Sequence, residues 1–300
     1  MRSILERLAN GDILVADGAI GTMLMSAGLP SGACPERMNL ERPELLESIA
    51  RRYLEAGADV IQTNTFGASP LKLAHFSLEG KMKEINAAAV RAVRKIVREK
   101  AYSYASCGPS GRLLKPHGDV EPDAVYESFR QQAEVLVNEG VDMVCVETMT
   151  DLIEAVLAVK AFKSVAPDLP VAACMTFDST PRGFFTVMGV TPARGAVELA
   201  KAGAEIIGSN CGYGIDHMIA VAQEFRKHTS LPLIIQPNAG LPQMQGGALI
   251  FPETPEFMAG RCHQLIECDV GIIGGCCGTT PDHIAAVRKA VDDFVVSRQR

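Results

Sequence analysis

The chain contains no tryptophan and few other aromatics, with five tyrosines and eleven phenylalanines in 300 residues. It also lacks any concentrated run of Lys or Arg. With a net charge of −6 and an isoelectric point near 5.6, that excludes the basic footprint of a nucleic-acid-binding surface and an anionic membrane as partner. No apolar run reaches membrane-spanning length. The first apolar stretch, MRSILERLANGDILVADG, carries charges that a secretory leader does not. These absences predict a soluble, cytoplasmic protein.

A disulfide framework is missing too. Nine cysteines, an odd number, without a leader predict thiols kept reduced. Cys145 in DMVCVE and Cys174 in PVAACMTF lie inside apolar runs, where free cysteine packs as a small hydrophobe. Cys262 and Cys268 fall in a helical pattern at a spacing that does not share one face. There is no C-x₂-C pair and no H-E-x-x-H. None of the six histidines ends an apolar run, and His283 in TPDHIAAV reads as a first-turn helix residue on a solvated face.

What is present is an alternation kept up along the whole chain. Short apolar, β-rich runs occur at 12–18, 58–64, 101–107, 141–147, 170–176, 204–210, 231–237 and 269–275. Between them lie stretches such as RPELLESIARRYLEAG and TDLIEAVLAVKAFKSVA, whose apolar residues recur every three or four positions, the mark of a helix with one buried stripe. LEAGAD, VNEGVD and AKAGAE place a glycine where a helix would stop before the next strand. Eight strand–helix units predict an α/β fold, a closed parallel (β/α)₈ barrel forming a single domain over 1–300. No G-x-G-x-x-G follows the first run, which disfavours an open dinucleotide-binding sheet. Residues 64–85 and 107–122 read as long loops, and MRSILERLANG as a short helix closing the base of the barrel.

Chemistry in such barrels sits where strands end. The runs end in Asp17-Gly18, Thr63-Asn64-Thr65, Cys107-Gly108-Pro109, Glu147-Thr148, Thr176, Asn210-Cys211-Gly212, Pro237-Asn238 and Cys276-Cys277-Gly278. Cys211 ends the sixth run and Cys276 and Cys277 the eighth, about 10 Å apart at ordinary strand spacing and within reach of one shared ion. Three thiolates suit a tetrahedral Zn²⁺ and leave a fourth position open, as catalytic zinc sites do. Two other readings of GGCCGT (274–279) stand beside this one. A glycine-rich loop before a helix resembles the barrel phosphate site of a lyase, with backbone amides holding an anion. A vicinal cysteine pair could also be a redox dithiol, although exchange motifs separate their cysteines by two residues.

The segments DGAIGTML (17–24), IQTNTFGAS (61–69), VETMTDL (146–152), GSNCG (208–212), PNAGLP (237–242) and GGCCGTTPDHI (274–284) together resemble the homocysteine S-methyltransferase family. The resemblance spans nearly the whole chain in order, and is closest to the homocysteine-binding module of cobalamin-dependent methionine synthase. It implies zinc held by Cys211, Cys276 and Cys277, with the homocysteine thiol in the fourth position. It gives Asp17 and Glu147 the substrate ammonium. Backbone amides of Gly18 and Ala19 and the hydroxyl of Thr63 are candidates for its carboxylate, and Asn64 and Asn210 join the substrate site. Zinc makes a bound thiol a thiolate, the nucleophilic form.

The methyl donor is the open question. Without tryptophan, and with Gly67 where betaine-using relatives carry tyrosine, the chain lacks an aromatic cage for a quaternary ammonium. The D-x-H-x-x-G pattern that ligates cobalamin is absent. The expected donor is therefore methylcobalamin on a separate corrinoid protein, with S-methylmethionine or S-adenosylmethionine as the alternative. The stretch 177–192 looks least like the family and is expected to form part of the donor-facing surface.

Overall fold

The computed structural model describes residues 1–245 and 248–298. Its centre is a ring of eight parallel strands: β1 (Leu14–Val15), β2 (Val60–Gln62), β3 (Tyr102–Cys107), β4 (Met143–Met149), β5 (Val171–Met175), β6 (Ile206–Asn210), β7 (Leu233–Gln236) and β8 (Val270–Ile273). Each strand pairs with its sequence neighbour, and β8 pairs with β1. The ring shuts between β1 and β2 through a single bridge, Ala16 to Val60. There Asp17 N–H donates to the Val60 carbonyl at 3.0 Å and Asp59 N–H to the Val15 carbonyl at 2.7 Å. The Asp59 carboxylate also accepts from Val15 N–H at 2.9 Å and faces Arg7 and Arg288 at 3.2 and 3.0 Å.

The helices follow from the local chemistry of their ends. Pro43, Pro122, Pro192 and Pro255 open four of them at the first position, where a missing N–H costs nothing. Thr191 also caps the helix opened by Pro192, accepting from Arg194 N–H, and Asp151 caps a further one, accepting from Ile153 N–H. Gly57, Gly140 and Gly203 stop three helices at positive φ, as the sequence predicts. TPEFMAGRCHQLIE is not one helix. It breaks at Gly260-Arg261 into Pro255–Ala259 and Cys262–Glu267, glycine being a poor helix former. The long 64–85 connection is also more ordered than a plain loop, holding short helical turns at Pro70–Leu73, Ala74–Phe76 and Glu79–Lys81.

Side chains fill the barrel lumen. Leu14, Ala16, Val60, Tyr102, Tyr104, Met143, Cys145, Ala172, Cys174, Ile206, Ile234 and Ile272 pack there, and the N-terminal helix Ile4–Ala9 plugs the base through Ile4, Leu5 and Leu8. Cys145 and Cys174 are packing residues, as expected, with their sulfurs 3.8 Å apart and fully enclosed. Cys262 and Cys268 are likewise buried. Two antiparallel hairpins rise from the rim at the carboxyl ends of the strands. One pairs Asp178–Thr180 with Gly183–Phe185, inside the stretch expected to face the donor. The other pairs Gln243–Gln245 with Ala248–Ile250. Among the described residues no helix is long and apolar enough to cross a membrane.

Candidate metal and substrate site

Three sulfurs meet at the rim. Those of Cys211, Cys276 and Cys277 all lie within 4.8 Å of one another, and Cys211 and Cys277 are 4.0 Å apart. A tetrahedral zinc with bonds of about 2.3 Å needs sulfurs roughly 3.8 Å apart, so the donor set fits such an ion. Cys276 is half-buried and Cys277 exposed, giving the cluster an open side. Two backbone features bring it together. Cys211 adopts φ +63°, unusual for a residue with a side chain, and turns its sulfur away from the course of β6. Gly278 takes φ +82°, turning the chain immediately after the vicinal pair.

Hydrogen bonds from Cys276 and Cys277 draw the Cys211 thiol well below its ordinary range. The contact with Cys211 in turn holds Cys276 and Cys277 up. A bound dication takes all three as thiolates.

Beside the sulfurs lie two buried carboxylates. Burial pushes Glu147 up to about 7, against the Ser106 hydroxyl that donates to Oε1, while negative charge on Cys211 raises it further. Burial also holds Asp17 well above the usual carboxylate range, opposed by its hydrogen bonds. Gln62 donates to it twice, from N–H to Oδ2 at 3.0 Å and from Nε2 to Oδ1 at 3.1 Å. Tyr104 donates its hydroxyl proton to Oδ1 at 3.3 Å. Among the described residues neither Asp17 nor Glu147 pairs with a cationic side chain, and Glu147 is held by the Ser106 hydroxyl and the Asn210 amide. Both acids are buried with neutral donors alone, an arrangement that favours an incoming cation.

Asn210 joins the parts. Its Oδ1 accepts from Thr148 N–H at 2.7 Å. Its Nδ2 donates to the Thr148 hydroxyl at 2.8 Å and to Glu147 Oε2 at 3.3 Å, and lies 3.8 Å from the Cys276 sulfur. Thr148 sits at φ +58°, a strained position for a β-branched residue.

The other expected residues divide. Thr63 is buried, but Thr65 gives its proton to the Ser106 carbonyl, so the Thr63 hydroxyl donates to Thr65 Oγ1 at 2.7 Å and its proton is committed. Asn64 turns toward the 35–39 segment, donating to the Pro35 carbonyl and to Asn39 Oδ1, each at 2.8 Å. The Ala19 amide donates to Thr279 Oγ1 at 3.2 Å. The Gly18 amide has no such partner among the described residues. A Cβ on Gly18 would come within 2.6 Å of Thr279 Oγ1, so the backbone there approaches the eighth loop closely.

His283 departs from expectation. It is buried rather than solvated: Thr280 N–H donates to Nδ1 at 3.2 Å, and Nε2 donates to the Glu253 carbonyl at 2.9 Å. It ties the loop after β7 to the start of the last helix. Residues that reasoning from sequence left out include Gln62, Tyr104, Ser106 and Gln236. Their signal was a polar side chain within, or closing, an otherwise apolar run. Asn238 was placed at a strand end without a role. It donates to the Gly212 carbonyl at 3.1 Å, and its buried Oδ1 makes no hydrogen bond among the described residues.

Fold and donor set together define a (β/α)₈ barrel with a thiolate-rich metal-type site at its catalytic rim. The sequence profile of the homocysteine S-methyltransferase family matches residues 14–291, and the chain belongs to that family. It is 33% identical over 305 residues to a methionine synthase of Mycobacterium leprae, with 96% of this chain and 25% of that protein covered. A methionine synthase of Mycobacterium tuberculosis is 31% identical, with 93% and 24% covered. The chain thus spans about a quarter of the length of these curated relatives. The crystal structure of the homocysteine methyltransferase MmuM from Escherichia coli, in its metallated form, superposes with a TM-score of 0.79 at 24% identity. It covers 96% of this chain and 99% of MmuM, a likeness of fold.

Proposed function

We propose that this chain moves a methyl group onto the sulfur of homocysteine to form methionine, with Zn²⁺ held by Cys211, Cys276 and Cys277. The observation that carries this reading is the sulfur triad with one open side, set beside two buried acids that lack cations. When bound, zinc supplies a coordination position that keeps the substrate sulfur as thiolate at neutral pH. Asp17 and Glu147 receive the α-ammonium, and the Gly18 amide is left to face the carboxylate. Ser106 and Asn210 hold Glu147 in place. In the transfer the sulfur lone pair forms the S–CH₃ bond as the bond from carbon to the donor breaks. The donor keeps that electron pair, and the thiol proton has already left.

The donor in this reading is methylcobalamin carried by a separate corrinoid protein or module. Relatives of about four times this length are methionine synthases, so most of such a protein lies outside the matched region. The rim offers exposed apolar side chains, Val187, Met188, Met244 and Leu249, for a docking partner. The anion-loop alternative is poorly supported, because six backbone N–H groups between 274 and 280 already donate within the protein. They belong to Gly274, Gly275, Cys276, Gly278, Thr279 and Thr280.

The test is a donor panel. Zinc-loaded protein is mixed with homocysteine and methylcobalamin, S-methylmethionine or S-adenosylmethionine, and methionine is measured. Formation from methylcobalamin is expected. Formation only from a sulfonium would move the donor assignment, and none from any donor would end the reading.

A further inference from the structure

A buried polar chain crosses the barrel lumen from β7 to β1. Gln236 Nε2 donates to the Tyr104 hydroxyl at 3.2 Å, and Tyr104 in turn donates to Asp17 Oδ1 at 3.3 Å. Tyr104 and Asp17 are wholly enclosed, and Gln236 nearly so. The direction of donation is fixed by chemistry, since a side-chain amide N–H cannot accept. The phenol must therefore turn its one proton to the carboxylate. Gln236 holds this orientation although its own buried Oε1 has no partner among the described residues, a state that ordinarily costs free energy.

The donor count at Asp17 gives the chain its purpose. A carboxylate offers about four acceptor positions. Tyr104 and Gln62 Nε2 occupy both on Oδ1, and Gln62 N–H occupies one on Oδ2. One position on Oδ2 remains. The phenol is kept protonated by burial and by the neighbouring acids, so it stays a donor.

The geometry points to Tyr104, set by Gln236, as a positioning residue that aims the free lobe of Asp17 at the substrate's α-ammonium and so makes the site select an amino-thiol over a plain thiol. This rests on the reading that Asp17 receives the ammonium. It assigns the selectivity to residues in the barrel lumen that never touch the substrate.

The experiment compares two ligands on zinc-loaded protein by calorimetry: homocysteine, and 4-mercaptobutyrate, the same thiol acid without the amino group. Wild type is expected to prefer homocysteine. Tyr104→Phe is expected to weaken homocysteine by about tenfold, the scale of one hydrogen bond to a charged group, while 4-mercaptobutyrate binding holds. A loosened fold would weaken both ligands alike and would overturn the proposal, as would an unchanged preference in Tyr104→Phe. Gln236→Met provides the second variant should Tyr104→Phe fail to fold, with the same loss of preference expected. A wild type that binds both ligands equally would instead overturn the assignment of Asp17 to the ammonium.

Discussion

The side chain of Asn210 reaches across two strands to the carboxylate of Glu147, with Nδ2 3.3 Å from Oε2. The same amide holds both the backbone and the hydroxyl of Thr148, and lies against the Cys276 sulfur. A single neutral residue therefore spaces the acid from the metal-type cluster and steadies a backbone strained at φ +58°. Backbone strain of this kind costs on the order of 1–3 kcal/mol and persists only where its surroundings impose it.

Asn210→Ala should then damage both stability and chemistry. The half-buried Thr148 N–H loses its acceptor, a loss of about 1 kcal/mol. Denaturant unfolding should show that loss, and methionine formation should fall by about tenfold or more as Glu147 drifts from place. A variant matching wild type in both measurements would remove Asn210 from its positioning role.

Metal content gives the most direct check on the cluster. Purified protein should carry close to one zinc per chain. Replacing Cys211, Cys276 or Cys277 with Ala should abolish retention through dialysis, because two remaining thiolates make a poor site. Cys145→Ala, in the lumen below, should keep its zinc. Equal retention across all four variants would contradict the assignment.

Homocysteine affinity should fall as pH drops below about 7. Glu147 has its folded-state value raised to about 7 from an ordinary 4.5, so it holds its proton below that pH and must release it to receive an ammonium. Above 7 it is already ionised. Glu147→Gln should lose this part of the pH profile while keeping whatever part belongs to the substrate thiol. The check is affinity measured from pH 5.5 to 8.5 on both proteins, and parallel profiles would count against Glu147 as the acceptor.

Gly278→Ala should be costly beyond its size. The residue sits at φ +82°, and a Cβ there would lie 2.1 Å from the Phe251 ring. Strain at left-handed φ alone is about 1–2 kcal/mol, and displacing Phe251 disturbs the contact between its loop and the turn after the vicinal cysteines. A lower melting temperature and faster zinc loss to a chelator are expected. Wild-type values for both would show that the turn tolerates a side chain.

The eight strands and the three cysteines were legible because both rest on simple repeats, the strand–helix alternation and the position of a residue at a strand's end. The hairpins at 178–185 and 243–250 were not, since each is short and lies in a connection whose Pro and Gly content reads as loop. His283 was misplaced for a tertiary reason. Its helix position alone faces outward, and only the fold of the loop after β7 brings the Glu253 carbonyl over it. Thr63 shows another limit: the sequence places a hydroxyl at the rim but cannot tell that Thr65 has claimed its proton. The lumen chain of Gln236, Tyr104 and Asp17 stands in the sequence as polar letters within or just after apolar runs, yet pairing them requires knowing that β7, β3 and β1 face one another across the barrel.

The ring of strands is fastened at a clasp only one bridge wide, between Ala16 and Val60. Asp59 secures it from beneath with two arginines, and Asp17 secures it from above through its own N–H and the two donors of Gln62. The upper catch is the residue assigned to the substrate. A ligand that engages Asp17 therefore tightens the closure of the whole barrel, by the general linkage between binding and folding.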